Sequence, residues 1–283
     1  MYTFSLILGT KGRTVELQRF LDCLDQQQYP NLQLIIADQN QDNRLIPILG
    51  KVRCVEECRH VRATPGLSHA RNVGLSHARG KILAYPDDDC WYSPGLLARI
   101  DEWFHSHPGY SFLSIGVEDE NGRQTANNCK HQSCDIDRDN VFHTSVSFSF
   151  FVRRNTLTEG VRFNERLGVG AGTAYGSGED TDYILQLLKR GAKGRYESAF
   201  VVHHPDKHTR TGQISVARAI HYNWGHGHLL RKYGFPSGAC LWAMLRPLCG
   251  ACAYLSRGKL RISLLYVMNA WGRFMGYLCP LSD

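Results

Sequence analysis

The sequence has no long, unbroken apolar run. Its most apolar stretch, Ala239–Leu255, is interrupted by Arg246 and Pro247. It falls short of the roughly 20 clean residues that a spanning helix requires, so no such helix is expected there. There is no low-complexity tract and no internal repeat, which excludes fibrous and solenoid architectures. The opening run Phe4-Ser5-Leu6-Ile7-Leu8 lacks a basic flank and is too short for the core of a secretory signal, so a reducing cytosol is the expected compartment. Ten cysteines are scattered along the chain, with local pairs at Cys54/Cys58, Cys129/Cys134 and Cys249/Cys252. No two pairs converge in the manner of a structural zinc site. Cys249 and Cys252 have CxxC spacing inside an apolar, helix-like stretch, where buried free thiols are expected. Carboxylates are nearly absent after His203: only Asp206 and Asp283 oppose Lys207, Arg210, Arg218, Arg231, Lys232, Arg246, Arg257, Lys259, Arg261 and Arg273. That segment carries +8 of a total of +7, so the rest is close to neutral. Such a tail suits nucleic acid, an anionic membrane surface or a phosphorylated ligand.

With 283 residues, 43% hydrophobic and 21% charged, the chain can form one large domain or a domain with an appendage. Phe4–Leu8 reads as a short buried strand, and Gly9–Arg13 as a glycine-bearing turn. Val15–Gln27 has apolar residues at helical spacing, and Leu32–Ala37 is a second buried strand closed by Asp38. Strand, helix and strand at this spacing make a βαβ unit with a parallel sheet. Further helices are expected at His69–His77, Pro94–Phe104 and Thr181–Arg190. Further strands are expected at Ile82–Tyr85, Ser111–Val117, Val146–Val152 and Val201–Pro205, with a looped segment between Glu118 and Asp139. From about Gln213 the pattern is helical, aromatic and basic, and Leu260–Leu278 has the composition of a helix lying in a membrane interface.

Three features carry chemistry. Asp87, Asp88 and Asp89 stand in a row just past the Ile82–Tyr85 strand, where ligands of open α/β sheets bind. Crowded carboxylates there suit a hard cation, Mg2+ or Mn2+, which would bridge phosphates and neutralise a departing one. A solvated acidic turn ahead of the Pro94 helix is the plainer alternative. Glu179 and Asp180 open a helix after Gly178. One of them could be a general base, or both could complement the helix dipole. His203 and His204 end the last strand and could complete a metal site or serve in packing. Thr10 and Arg13 could meet a phosphate or base, or be ordinary turn residues.

The stretches "SLILGTKGR", "LIIADQN", "GLSHARNVGL", "GKILAYPDDDCWYSPGLL" and "GSGEDTDYILQLLKRG" occur in an order that resembles the family 2 glycosyltransferases, inverting enzymes of the GT-A fold. The likeness runs from Phe4 to about His204. It implies an α/β fold, with a Rossmann-like nucleotide-binding half over residues 1–110 and an acceptor-binding half over 111–205, on a mixed, mostly parallel sheet. A helical, basic and apolar segment over 206–283 would follow. It implies that Thr10, Arg13 and Asp38 grip the nucleotide, and that Arg71 and Asn72 lie near its diphosphate. Asp87 and Asp89, with Asp88 between them, would carry Mn2+ or Mg2+ and the sugar-diphosphate, and His203 or His204 would complete the metal shell. Asp180 would be the base, with Glu179 beside it. The family's commoner Pro-Thr-Tyr-Asn opening is replaced here by Gly9-Thr10-Lys11-Gly12, and its paired acids after the second strand by Asp38-Gln39.

The expected reaction is transfer of a sugar from a nucleotide-diphosphate donor, a UDP-sugar, to an acceptor hydroxyl with inversion. The acceptor would sit over the glycine-bearing Gly168–Gly178 loop, acting as a lid. A lipid-linked glycan of surface-polysaccharide or O-antigen assembly is the expected acceptor. The basic tail would rest on the inner leaflet of the cytoplasmic membrane, and no nucleic acid is expected. The alternatives are a nucleotidyltransferase and a non-catalytic membrane or nucleic-acid-binding module.

Overall fold

The computed structural model describes residues 2–53, 55–126, 132–157, 160–205 and 216–279; Cys54 and Cys129 lie outside the described residues. The chain begins with β1 (Phe4–Thr10), α1 (Val15–Asp25), β2 (Leu32–Asp38), the single turn α2 (Ile46–Leu49) and β3 (Glu57–Arg62). Next come α3 (Leu67–Leu75), β4 (Ile82–Ala84), β5 (Trp91–Tyr92), α4 (Leu96–Ser106), β6 (Phe112–Glu118), β7 (Gln124–Ala126), β8 (Cys134–Ile136) and the short α5 (Val141–Thr144). They are followed by β9 (Phe150–Arg153), α6 (Glu179–Lys189), β10 (Gly194–His203), α7 (Val216–Lys232), α8 (Ser237–Leu255) and α9 (Leu260–Leu278).

All ten strands join one sheet, whose main path runs β3-β2-β1-β4-β9-β6-β10-β5. The parallel pairings β1/β2, β2/β3 and β6/β10 are long, and β1/β4 adds three residues. The antiparallel pairings are two or three residues each. Both faces are covered, so β1 and β2 are buried throughout and mostly apolar rather than alternating, and the polar Ser5 and Gln33 within them pair with each other at 2.6 Å. Leu6, Leu8, Leu34 and Ile36 pack against α1 and α4, while Ile7 and Ile35 face the opposite layer with Tyr183 and Ile184 of α6. Strand order reverses beside β1, between β2 and β4. The carboxyl ends of β1, β2, β4 and β10 therefore deliver Thr10, Asp38, the Asp87–Asp89 turn and His204 to the same rim.

Several expectations need correction. β3 was not foreseen; "ECRHVR" is an edge strand with little apolar content, held by its ladder to β2. The Glu118–Asp139 segment contains β7 and β8. The Val146–Val152 strand begins only at Phe150, because Ser147–Ser149 forms a 3₁₀ turn in which Ser149 Oγ donates to Val146 O at 2.9 Å. β10 begins seven residues before the expected Val201.

Arg246 and Pro247 do not interrupt α8. Proline lacks the N–H that would bond the carbonyl four residues earlier. That carbonyl, Ala243 O, instead accepts Arg273 Nη1 from α9 at 2.7 Å. The resulting 19-residue helix is long and apolar enough, by length and composition, to cross a membrane, and it is mostly exposed. α7 and α9 lie backbone against backbone. A Cβ on Gly227 would come within 1.9 Å of Arg273 O, and one on Gly276 within 1.9 Å of Trp224 O. Only glycine permits that approach.

Candidate active site

The three aspartates split their duties. Asp88 turns back toward β1, accepting Thr10 Oγ1 at 2.6 Å and Arg13 Nη1 at 2.6 Å. Burial raises its pKa above the ordinary range, and Thr10 and Arg13 offset only part of that. Asp89 Oδ2 meets Arg13 Nη1 at 2.6 Å, and the Asp89 carbonyl accepts Arg19 Nη2 at 2.6 Å. Asp87 Oδ1 accepts Arg71 Nη2 at 3.0 Å. Oxygens of Asp87 and Asp89 lie with a ring nitrogen of His204 inside a cluster whose donor atoms are all within 4.8 Å of one another.

His204 shows that this cluster fits a cation. Its Nδ1 donates to the Pro205 carbonyl at 2.8 Å, so in the neutral ring Nε2 carries the lone pair. Nε2 is buried and 3.0 Å from Asp89 Oδ1, yet makes no hydrogen bond. With the ring neutral, Nε2 and Asp89 Oδ1 are both acceptors, an arrangement that a cation bound between them would satisfy. Phe148 stacks on the ring at 4.7 Å and holds it in place. His203, by contrast, is not brought to the cluster. Its Nε2 pairs with Ser93 Oγ at 2.8 Å and its ring stacks on Trp91.

Arg71 joins the metal-type cluster to the second acidic pair. It is 1% exposed, and its Nη2 donates to Asp87 and, at 2.6 Å, to Ser147 Oγ. Its Nη1 donates to Asp180 Oδ1 at 3.2 Å and lies 4.0 Å from Glu179 Oε1. Burial disfavours its charge, but Asp180, Asp87 and Glu179 outweigh that and raise its pKa. Glu179 and Asp180 open α6 after Gly178, whose φ of 99° is left-handed backbone suited to glycine. Burial is the main cause that pushes both carboxyls up, Glu179 to about 8; for Glu179 the neighbouring Asp180 adds to it, and Arg71 opposes it at both. Gly168 leaves room for the Glu179 carboxylate, since a Cβ there would sit 2.6 Å from it.

Two further candidates take other places. Asn72 does not reach the cluster: its amide donates to Phe163 O at 2.8 Å and Glu165 Oε1 at 2.9 Å, and accepts Phe163 N–H at 3.0 Å. Asp38 is fully buried at the end of β2. Its Oδ1 accepts both the backbone and amide nitrogens of Asn40, and its Oδ2 meets His60 Nε2 and Arg62 Nη1, each at 2.8 Å. The Gly168–Gly178 loop is stitched on both sides: Val169 O accepts Leu67 N–H at 3.0 Å, Gly176 N–H reaches His221 O at 3.0 Å, and Ser177 Oγ reaches Tyr222 O at 2.5 Å. Sequence reasoning missed Ser147, Arg19, His60, Arg62 and the Phe148 platform, none of which lies in a motif that announces it.

A doubly covered sheet with a nucleotide-type rim, an Asp-Asp-His cluster and a buried acid pair defines the GT-A class of fold. The sequence pattern described as "Glycosyl transferase family 2" matches residues 5–161, more than half of the chain, which therefore belongs to that family. Among curated relatives, the Campylobacter jejuni GalNAc(5)-diNAcBac-PP-undecaprenol beta-1,3-glucosyltransferase is 22% identical over 172 residues, covering 58% of this chain and 56% of its own. The chain spans between 26% and 56% of the length of the curated relatives it matches. Among solved structures, Staphylococcus aureus TarS 1–349 in complex with UDP-GlcNAc superposes with a TM-score of 0.60 at 15% identity, covering 94% of this chain and 90% of that one. The mannosyltransferase PcManGT from Pyrobaculum calidifontis in complex with GDP-Man and Mn2+ superposes with a TM-score of 0.61 at 16% identity, over 96% and 87%.

Proposed function

We propose that the protein transfers a sugar from a nucleotide-diphosphate donor, a UDP-sugar, to a hydroxyl of a lipid-linked glycan, with inversion, in surface-polysaccharide assembly. The observation that carries the reading is Arg71: one buried guanidinium ties Asp87 of the metal-type cluster to the Glu179–Asp180 pair. Leaving-group side and base side are thereby held in one rigid unit.

Thr10 and Arg13 hold the Asp88–Asp89 turn in place, and Arg13 faces the donor's diphosphate. Asp38 acts at the nucleoside end by fixing Asn40, His60 and Arg62. Asp87, Asp89 and His204 would hold Mn2+ or Mg2+, which when bound supplies Lewis-acid neutralisation of the departing diphosphate. Asp180, 20% exposed at its side chain, takes the acceptor's proton, and burial, by raising its pKa, makes it a stronger base than an ordinary aspartate. Glu179 stays protonated beside it and so spares the pair a second charge. Attack opposite the leaving group, in one displacement, inverts the anomeric centre. Asn72 positions the 163–165 segment that flanks Arg71.

The lipid-linked acceptor is supported by the printed name of the Campylobacter relative and by the C-terminal helices. Leu260, Leu264, Val267, Trp271, Phe274 and Leu278 form one exposed apolar stripe along α9. Between residues 216 and 279 there are eight Lys/Arg and no Asp or Glu. That pairing of apolar stripe and positive charge fits peripheral attachment to an anionic cytoplasmic leaflet.

The test is release of UDP from a panel of UDP-sugars with Mn2+ or Mg2+. Asp180→Asn should lower turnover about 100-fold or more, the usual contribution of a general base, while UDP affinity stays within about twofold. Near-normal transfer by that variant would remove Asp180 from the role.

A further inference from the structure

At the seam where α5, α8 and α9 meet α7 and one another, four basic side chains are carried on four elements: the exposed His143 on α5, His226 on α7, the exposed Arg246 on α8 and Arg273 on α9. Phe142 stacks on the His226 ring at 4.2 Å, which brings the neighbouring His143 to α7. Arg273 crosses to Asn223 Oδ1 on α7 at 2.9 Å and to Ala243 O on α8 at 2.7 Å, three residues before Arg246. Burial first, then Arg246 and Arg273, lowers the His143 pKa. Burial, then Arg273, His143 and Arg246, pulls His226 down to about 3. Burial and Arg246 bring Arg273 down to about 10. Among the described residues no carboxylate forms an ion pair with any of them, and α7, α8 and α9 contain none. The two arginines are therefore the cations of this cluster, Arg246 exposed and Arg273 half-buried, beside two histidines that are neutral without an anion, and an anion bound there would be attracted by both.

The position of the seam suggests which anion. On one side, His143 is four residues from Ser147, which contacts Arg71 and Asp180. On the other side, Arg246 follows the exposed Trp242 and Leu245 on α8. A ligand spanning the two would carry negative charge between an apolar tail and a reacting hydroxyl. Resting on the glycosyltransferase reading above, we propose that His143, His226, Arg246 and Arg273 bind the phosphate groups of a membrane-embedded lipid carrier. This site would set the distance from lipid to Asp180. Arginine's planar fork matches phosphate oxygens, and a neutral histidine ring adds one N–H donor.

The test measures binding of the full chain to phosphatidylcholine vesicles doped with farnesyl diphosphate, to vesicles containing phosphatidylglycerol, and to inorganic pyrophosphate in solution. Arg246 is exposed, so R246Q should keep the wild-type melting temperature; R261Q, on α9 away from the seam, controls for general surface charge. R246Q should weaken binding to the diphosphate-doped vesicles about tenfold, R246K should recover part of it, and R261Q should leave it unchanged. On phosphatidylglycerol vesicles the two glutamine variants should lose equally little. If R246Q binds the doped vesicles like the wild type, or R261Q loses as much, the site falls and only surface charge remains. If pyrophosphate alone binds as tightly as the doped vesicles, the lipid part of the proposal falls. Failure of the wild type to release UDP from any UDP-sugar would sink the glycosyltransferase reading instead, and the vesicle comparison would still decide this site.

Discussion

At the end of β10 successive side chains leave opposite faces of the strand, so His204 turns toward Asp89 while His203 turns toward Ser93 and Trp91. A direct consequence is that His204→Gln should lower Mn2+ affinity at least tenfold, the scale of losing one ligand contact. His203→Gln should leave it unchanged, as measured by titration calorimetry. Equal losses from both would mean that the cluster is not the metal site. Glu179 gives a second residue-scale expectation. Burial and Asp180 push its carboxyl up to about 8, with Arg71 pulling the other way. An acid with a native pKa above its unfolded value binds its proton more tightly when folded. Its stabilising contribution is therefore complete at acidic pH and is lost as pH rises from the unfolded value of about 4.3 through about 8. Without metal, the melting temperature should fall between about pH 5 and about pH 8.5. Glu179→Gln should flatten that slope and melt above the wild type at the alkaline end. A slope that the substitution leaves intact would point to other groups. Burial also raises the Asp180 carboxyl, against the pull of Arg71, so the transfer rate should climb as pH rises through that raised value and Asp180 becomes able to accept a proton.

Among the elements, α8 carries a proline inside an unbroken helix. Pro247 removes one backbone hydrogen bond, and Arg273 on another helix occupies the carbonyl that proline leaves unbonded. Arg273→Gln should destabilise the fold by about 1–3 kcal/mol, the cost of an unpaired buried polar group. In a Pro247→Ala background, where an N–H at 247 can restore the bond, the same substitution should cost clearly less. Urea denaturation of the two single variants and the double variant measures the coupling, and strict additivity would show that the repair does not operate. The edge strand β3 and the Ser147 turn escaped notice for a related reason. Neither has a hydrophobic period, and each is held by partners far away in the chain: β2 for one, Arg71 for the other.

For the molecule as a whole, charge and apolar exposure coincide on one appendage. Trp271 is 51% and Phe274 41% exposed on α9, in a segment free of carboxylates. Trp271→Glu combined with Phe274→Glu should reduce pelleting with phosphatidylglycerol vesicles several-fold without lowering the melting temperature, since neither ring is buried in the fold. Undiminished pelleting would remove the stripe from membrane attachment. Deleting α8 and α9 would be a poorer test, because α9 packs backbone-close on α7 through Gly227 and Gly276.

The βαβ opening, the aspartate turn past β4 and the acidic start of α6 were legible from the chain alone. Each is a local pattern: buried strands lack alternation, a strand end bears its ligands, and a helix start bears acids after glycine. The tertiary structure alone decided which residues of those patterns meet. Arg71 reaches Asp87 across 16 positions and Asp180 across 109, and His204 rather than His203 faces Asp89. Such pairings depend on strand order, register and burial. Periodicity and spacing specify the elements, whereas the direction of a side chain at a shared rim follows only once the sheet has been assembled and both its faces covered.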